Sequence, residues 1–258
     1  SDRMAKIIYL LALCITAVVG KLLNTTLPSQ QRIVGGSTVN ISNYPFLVAL
    51  LFAPDGVSYR QICGASIINN RSVLTAAHCL RFNQYRVRAG SSTASSGGAV
   101  HNANRIIIHP NYNQFTINND IAVLRLSTQF SFGSNVRVGS IAGANYNTGD
   151  NQSVWVAGWG FTSFNGRPSE NLRHVQLWTV NQNTCQNVYG TSQITQNMLC
   201  AGSRAAGNGV CTQDSGGPLL HNNVIVGIVS FGGNCGQPQY PGVFARVSRY
   251  TSWIRSNA

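Results

Sequence analysis

The sequence predicts an all-β protein, and three observations lead to that prediction. Short apolar runs recur between clusters of Gly, Asn and Ser, a spacing that suits a barrel or a sandwich. Some runs alternate polar and apolar residues, as at 85–89, so that every second side chain can face water. Helical periodicity is almost absent. The short apolar runs lie at 46–52, 62–68, 105–108, 121–126, 153–157, 175–180 and 224–231.

The one predicted helix lies at 248–257. Tyr250, Trp253 and Ile254 fall at a spacing of three to four residues, and Ser248 is placed to cap the N-terminal end. We expect this helix to pack on the β-structure. No repeat, low-complexity tract or linker divides the chain.

Composition excludes a disordered chain and limits the range of partners. Of the 258 residues, 43% are hydrophobic and 9% are charged, which indicates a folded protein with a buried core. The formal net charge is +12, yet the basic residues are scattered, so we expect no nucleic-acid partner. A protein that binds polyanions without catalysis is the alternative. Lys6 and Lys21 are the only lysines, so arginine supplies the other 16 basic residues.

The N-terminal segment predicts secretion. An apolar run at 7–19 follows Arg3 and Lys6, and its 13 residues are too few to cross a bilayer as a helix. We interpret 1–20 as a signal peptide with its start at Met4. An N-terminal anchor is the alternative, but no basic stop-transfer cluster follows the run. We therefore expect an extracellular protein with no membrane partner.

Cysteine usage agrees with an oxidising compartment. Cys14 lies within the predicted signal peptide, and the even number that remains indicates three disulfides whose pairing the spacing leaves open. No Cys-x-x-Cys pair or His-Glu-x-x-His run is present, so we expect no metal and no cofactor. The six remaining cysteines are Cys63, Cys79, Cys185, Cys200, Cys211 and Cys235.

Three segments contain side chains suited to nucleophilic catalysis. They are 75–79 with His78, 119–124 with Asp120, and 211–218 with Ser215. A serine hydroxyl is a weak nucleophile, so an imidazole must take its proton and a buried carboxylate must fix the tautomer of that imidazole. Each residue alone is weak evidence, because His, Asp and Ser are common in turns and loops.

In the order His, Asp, Ser these motifs resemble those of the chymotrypsin and trypsin family of serine proteases. The resemblance covers nearly all of 33–258. Residues 32–36 are similar to the family's activation site, 156–160 to its central strand and 230–232 to its substrate-binding strand, while 177–202 resembles the gut trypsins of insects. The resemblance implies two six-stranded antiparallel barrels, joined between 126 and 149, with the active site between them.

The resemblance also implies roles and disulfides. Ser215 would be the nucleophile, His78 the general base and then acid, and Asp120 its buried partner. The N–H groups of Gln213 and Ser215 would form the oxyanion hole, and Ser230 would support the catalytic carboxylate. The implied disulfides are Cys63–Cys79, Cys185–Cys200 and Cys211–Cys235.

Zymogen activation follows from the same resemblance. Cleavage after Arg32 would free an α-amino group at Ile33, which would pair with the carboxylate of Asp214. Burying either charge alone would be costly, so the pair would form only after cleavage. Residues 21–32 would be the pro-segment and 33–258 the protease domain.

The predicted substrate pocket departs from the trypsin pattern. Gly209 lies where trypsins have an Asp that attracts Arg or Lys, and Gly232 and Gly242 would form open walls. We predict chymotrypsin-like cleavage after large apolar residues, with trypsin-like specificity as the alternative. An enzyme of this kind could not cut after Arg32, so a separate trypsin would activate it.

A second departure is Gln213, where the family nearly always has Gly. Gly permits backbone conformations that a Cβ resists, so the oxyanion peptide either flips or keeps its direction while the side chain hinders protein inhibitors. A catalytically weakened homologue that acts by binding is the alternative to an active enzyme.

The expected setting is digestion of protein and peptide substrates in the lumen of an alkaline gut, by a monomer. No Asp or Glu occurs between Asp55 and Asp120, so we expect no calcium site there. No lysine occurs from Ile33 onward, and arginine keeps its charge in strong alkali where lysine loses it.

Overall fold

Strands dominate the chain in a computed structural model, which describes residues 36–162, 166–204, 209–211, 213–233 and 236–258. Three short 3-10 helices, Ile41–Asn43, Ala77–Cys79 and Val247–Arg249, accompany two α-helices, α1 (Gln182–Tyr189) and α2 (Thr251–Asn257). The strands are β1 (Ser37–Thr38), β2 (Leu47–Phe52), β3 (Arg60–Ile67), β4 (Ser72–Thr75), β5 (Arg86–Ala89), β6 (Ala99–Ile108), β7 (Ala122–Leu126), β8 (Ser140–Ile141), β9 (Ser153–Gly158), β10 (Arg173–Val180), β11 (Met198–Gly202), β12 (Pro218–His221), β13 (Val224–Phe231) and β14 (Gly242–Arg246).

The first barrel closes in the order β2-β3-β4-β7-β6-β5, with every pair antiparallel. Its interior is apolar, and Leu47, Leu50, Ile67, Leu74 and Leu124 are fully buried. Strand β5 alternates half-buried and buried residues, as the pattern at 85–89 predicts. Each such aliphatic side chain contributes about 1.5–3 kcal/mol on burial.

The second barrel closes in the order β10-β11-β14-β13-β12-β9, because β9 also pairs with β10. Strand β1 pairs with β10, and β8 pairs with β13 in the parallel sense, so both lie outside the ring. The prediction of an all-β protein built from two six-stranded barrels is confirmed.

The apolar runs all overlap strands, but six strands and the helix α1 were not predicted. Strands β1, β4, β8, β11, β12 and β14 each have only two to five residues, and α1 lacks apolar periodicity because only Cys185 in it is buried. A capping interaction forms α1, since Asn181 Oδ1 accepts hydrogen bonds from the backbone N–H groups of Asn183 and Thr184.

The C-terminal helix is present, but the predicted cap is wrong. Ser248 lies in a 3-10 helix, and α2 begins at Thr251 with no side-chain cap. Arg125 of β7 donates from Nε to the Asn257 carbonyl at 3.1 Å and from Nη2 to the Ala258 carbonyl at 3.2 Å. The end of the chain is thereby bonded to the first barrel. Within the described ranges, no helix is both long enough and apolar enough to cross a membrane.

Candidate active site

The pairing of β4 with β7 brings His78 and Asp120 together. Thr75 pairs with Ala122, so the 3-10 helix after β4 lies beside the residues that precede β7. His78 Nδ1 is 2.7 Å from Asp120 Oδ2, and the His78 backbone N–H donates to Asp120 Oδ1 at 2.9 Å. Asp120 is 1% exposed. This is the single ion pair among the described residues.

The second barrel also contributes to this carboxylate. Ser230 on β13 donates from Oγ to Asp120 Oδ2 at 2.5 Å, and its side chain is buried. Both carboxylate oxygens of Asp120 therefore accept hydrogen bonds, and the donors come from both barrels. Such an arrangement fixes the orientation of Asp120.

Ser215 lies in the loop between β11 and β12. Its carbonyl accepts a hydrogen bond from the Gly64 N–H at 2.8 Å, and the next N–H, that of Gly216, donates to the Val229 carbonyl at 2.8 Å. Ser215 lines a cavity that Ser230 and Gly232 also line. No hydrogen bond joins the Ser215 hydroxyl to His78, although the structure describes both residues.

Gly216 allows the loop that contains Ser215 to approach the strand that leads to His78. Its φ is +76°, and a Cβ there would lie 2.5 Å from the Gly64 carbonyl oxygen and closer still to Thr75 Oγ1. A side chain at this position would push Ser215 away from the first barrel. The glycine is therefore a steric requirement of the site.

The predicted oxyanion donors are two backbone N–H groups, those of Gln213 and Ser215. Neither the Gln213 nor the Ser215 backbone N–H has an acceptor among the described residues. Gln213 adopts φ +71°, the left-handed conformation that glycine adopts without cost. Its side-chain Oε1 is buried and lacks a hydrogen-bond partner within the described part of the chain.

The three predicted pocket glycines lie together. Gly209, Gly232 and Gly242 line one pocket, with Val210 beside them. A Cβ on Gly242 would lie 2.7 Å from Val210 Cγ2, so the valine side chain occupies the space that this glycine leaves. Val210 also lines the neighbouring cavity that contains Ser215. Sequence reasoning missed Val210, although it directly follows Gly209.

Asp214 is buried beside Ser215. Its Oδ1 accepts from the Gly160 N–H at 3.0 Å and its Oδ2 from the Cys211 N–H at 3.1 Å. Burial raises the pKa of Asp214 to about 7, and no cationic side chain in the described ranges pairs with it. The predicted cleavage residues Arg32 and Ile33 lie outside the described residues.

Two disulfides are formed among the described cysteines. Cys63 and Cys79 join β3 to the helix that contains His78, with an S–S distance of 2.03 Å, and Cys185 and Cys200 join α1 to β11. These are two of the three pairings that the family resemblance implies. The third involves Cys235, which lies outside the described residues.

Comparison with known sequences identifies the family. The sequence profile of the family described as Trypsin matches residues 33–254. The chain belongs to the trypsin family. It is a serine endopeptidase, a hydrolase that acts on peptide bonds.

Relatives within the trypsin family are named trypsins. The chain is 54% identical over 236 residues to "Trypsin, alkaline B" of Manduca sexta, which covers 89% of this chain and 92% of the relative. It is 52% identical over 258 residues to "Trypsin CFT-1" of Choristoneura fumiferana, and this match covers 96% of this chain and 98% of the relative. The solved structure of mouse neuropsin, a serine protease, matches with a TM-score of 0.78 and 33% identity, covering 86% of this chain and 97% of neuropsin. The relatives' names favour the trypsin-like alternative over the chymotrypsin-like interpretation.

Proposed function

We propose that this trypsin-family chain is a secreted digestive endopeptidase in which Ser215 attacks the substrate carbonyl. The supporting observation is the Asp120 carboxylate, which contacts His78 Nδ1 at 2.7 Å and so favours the tautomer with its proton on Nδ1. The Nε2 atom of His78, which lies 3.8 Å from Cys79 Sγ, is then unprotonated, so it can take the Ser215 proton and return it to the leaving amine. The unpaired N–H groups of Gln213 and Ser215 would receive the oxyanion.

An active enzyme and a binding homologue make different predictions for Ser215. An organophosphate should label Ser215 stoichiometrically in the active enzyme, because the reagent needs the activated hydroxyl and the oxyanion hole. The Ser215→Ala variant is the matched control and should take up no label. Absence of label in the native protein, together with no peptide hydrolysis, would favour the binding homologue.

Two observations bear on the primary specificity, and they favour different residues at the cleaved position. The relatives' names favour cleavage after Arg or Lys. The pocket favours large apolar residues, because Gly209, Gly232 and Gly242 present no charge and burial of such a side chain is worth about 1.5–3 kcal/mol. A guanidinium entering it would lose water and gain no carboxylate. None of the five acidic residues in 33–258 lines either cavity: Asp55, Asp120, Asp150, Glu170 and Asp214.

Rates on matched peptides separate these two specificities. We propose the apolar preference, so kcat/KM should be higher for Phe and Leu than for Arg at the cleaved position. A preference for Arg would establish the trypsin-like alternative. Gly209→Asp should raise cleavage after Arg, while Gly143→Asp, at an open position, is the matched control.

Activation by cleavage after Arg32 has support from the buried Asp214. We propose that 1–20 is a signal peptide, that 21–32 is a pro-segment, and that a separate trypsin frees the Ile33 amine. Because the pKa of Asp214 is raised to about 7, the uncleaved chain should lose stability as the pH rises from about 4 through 7. Pairing with the amine should remove that loss. Urea unfolding across this pH range, before and after cleavage, tests the proposal, and Arg32→Gln is the uncleaved control.

The working environment that we propose is an alkaline gut. Residues 33–258 hold 14 arginines, five acidic residues and no lysine, so their charge of +9 survives at a pH where lysine would be neutral. Three of the relatives' names include the word alkaline. Activity should be highest well above about pH 8. A pH profile with a neutral optimum and collapse in alkali would contradict this.

A further inference from the structure

A side-chain amide of the first barrel contacts the loop of the nucleophile. Gln61 on β3 donates from Nε2 to the Gln213 carbonyl at 3.0 Å and to the Cys63 carbonyl at 3.1 Å. An amide nitrogen has two N–H groups, so both are used. Gln61 is only 9% exposed, which limits competition from water for these two bonds.

A β-bulge places Gln61 in this position. In the pairing of β3 with β2, Leu50 lies opposite Cys63 and Leu51 lies opposite Gln61, so Ile62 is an extra residue. A bulge redirects the side chains around it and is frequent beside active sites. The local backbone of β3 therefore directs the amide of Gln61 toward the neighbouring loop.

Residue 213 needs support because its conformation is unfavourable for glutamine. At φ +71° a residue with a Cβ is disfavoured relative to glycine by about 5- to 30-fold in population. The Gln213 side chain does not compensate, since its buried Oε1 has no partner among the described residues. In that part of the chain, Gln61 is the side chain that bonds to the Gln213 backbone.

We propose that Gln61 is a positioning residue for the oxyanion hole. It fixes the carbonyl side of Gln213 and so holds this residue in the conformation that leaves its N–H available. The same strand fixes the other donor residue, because the Gly64 N–H donates to the Ser215 carbonyl at 2.8 Å. Strand β3 of the first barrel therefore orients both oxyanion donors of the second. This inference rests on the proposed catalytic function.

The Gln61→Met variant tests the proposal, because it keeps the length of the side chain and removes the donor. We expect kcat to fall by about 2- to 12-fold, the value of one net hydrogen bond, with KM unchanged. A peptide aldehyde, whose adduct places an oxyanion in the hole, should bind more weakly by the same factor. Affinity for an uncharged ligand of the substrate pocket should not change. Gln61→Leu should lower kcat and the affinity for the aldehyde in the same way.

Gln186→Met is the matched control. Gln186 on α1 also donates from Nε2 to a backbone carbonyl, that of Ile194 at 3.0 Å, but it lies outside the site. Its substitution should leave kcat and aldehyde affinity unchanged. An equal loss in this variant would show a general effect on the fold and overturn the proposal.

The Gln213→Gly background tests whether Gln61 acts through residue 213. Glycine adopts the left-handed conformation without cost, so Gln61→Met should then lower kcat less than in the native chain. An equal fall in both backgrounds would contradict the inference.

A crystal structure of Gln61→Met gives a readout that does not depend on activity. The backbone at 213 should depart from the left-handed conformation, and retention of φ near +71° would overturn the inference. If the native protein hydrolyses no peptide, the proposed function is wrong. If the native protein is active and Gln61→Met has the same kcat, this inference alone is wrong.

Discussion

The two halves of the active site are stabilised in different ways. In the first half, polar side chains bond directly to one another, with His78, Asp120 and Ser230 joined at 2.7 and 2.5 Å. In the second half, around Ser215, the loop is held through backbone groups and glycines. Gly64 and Val229 bond to the main chain of 215–216, and Gly216 permits the close contact.

The difference indicates which substitutions each half tolerates. In the His78 half the chemical identity of the side chain matters, so an isosteric change should abolish function while the fold remains. In the Ser215 half the available space matters, so an added methyl group should damage the fold itself. Four predictions test this distinction, beginning with the largest expected effect.

Asp120→Asn should lower kcat by about 10⁴-fold, because the amide favours the wrong tautomer of His78 while filling the same space. The free energy of unfolding should change far less than kcat does. Peptide hydrolysis and urea unfolding measure the two quantities. Asp150→Asn, at a surface carboxylate that accepts from Asn181 Nδ2, is the matched control and should be neutral. Comparable activity in Asp120→Asn and native protein would remove Asp120 from the catalytic group.

Gly216→Ala should destabilise the protein by about 2–4 kcal/mol. Its φ of +76° disfavours a Cβ, and that atom would collide with Thr75 and Gly64. Denaturant unfolding measures the change. Gly133→Ala is the control, since a Cβ there meets nothing within 4 Å. If both variants were equally stable, steric space at Gly216 would not determine which substitutions the Ser215 half tolerates.

Ser230→Ala should lower kcat by about 10-fold, because the bond to Asp120 is lost at a charged acceptor. Ser230 belongs to the second barrel, so this variant shows how far the orientation of Asp120 depends on that barrel. Turnover on a fixed peptide substrate is the measurement, with Ser127→Ala, whose hydroxyl bonds to Asn102, as the control. An undiminished kcat would mean that the first barrel orients Asp120 alone.

Tyr44→Phe should have the smallest effect. Loss of the hydrogen bond between its hydroxyl and His174 Nδ1 should cost about 0.5–1.5 kcal/mol at any pH, and a further difference should appear only in strong alkali. Burial raises the pKa of Tyr44 to about 12 from 10.0, so the folded state holds this proton more tightly than the unfolded state. Its contribution to stability is complete below about pH 10 and is lost as the pH rises through 12. Between about pH 10 and 12, the free energy of unfolding should fall less steeply with pH in the variant than in the native protein. An equal fall in both proteins would show that groups other than Tyr44 cause the loss of stability.

Sequence predicts the parts of this protein that depend on local pattern or ordered motifs. The strands follow from apolar runs, and residues such as His78, Asp120 and Ser215 follow from the motifs around them. Gln61 and Val210 could not be found in this way, because their roles depend on a β-bulge and on contact with Gly242. The cap at Ser248 failed because a 3-10 helix precedes α2. Contacts between distant segments leave no local signal.

The buried Asp214 carboxylate has a consequence for chemical modification. No lysine occurs from Ile33 to Ala258, so cleavage after Arg32 would give a fragment whose single primary amine is the one expected to pair with Asp214. A reagent that acylates amines would therefore report on one ion pair in the whole enzyme. Slow acylation would indicate a buried amine, and the rate of inactivation would follow the opening of that pair.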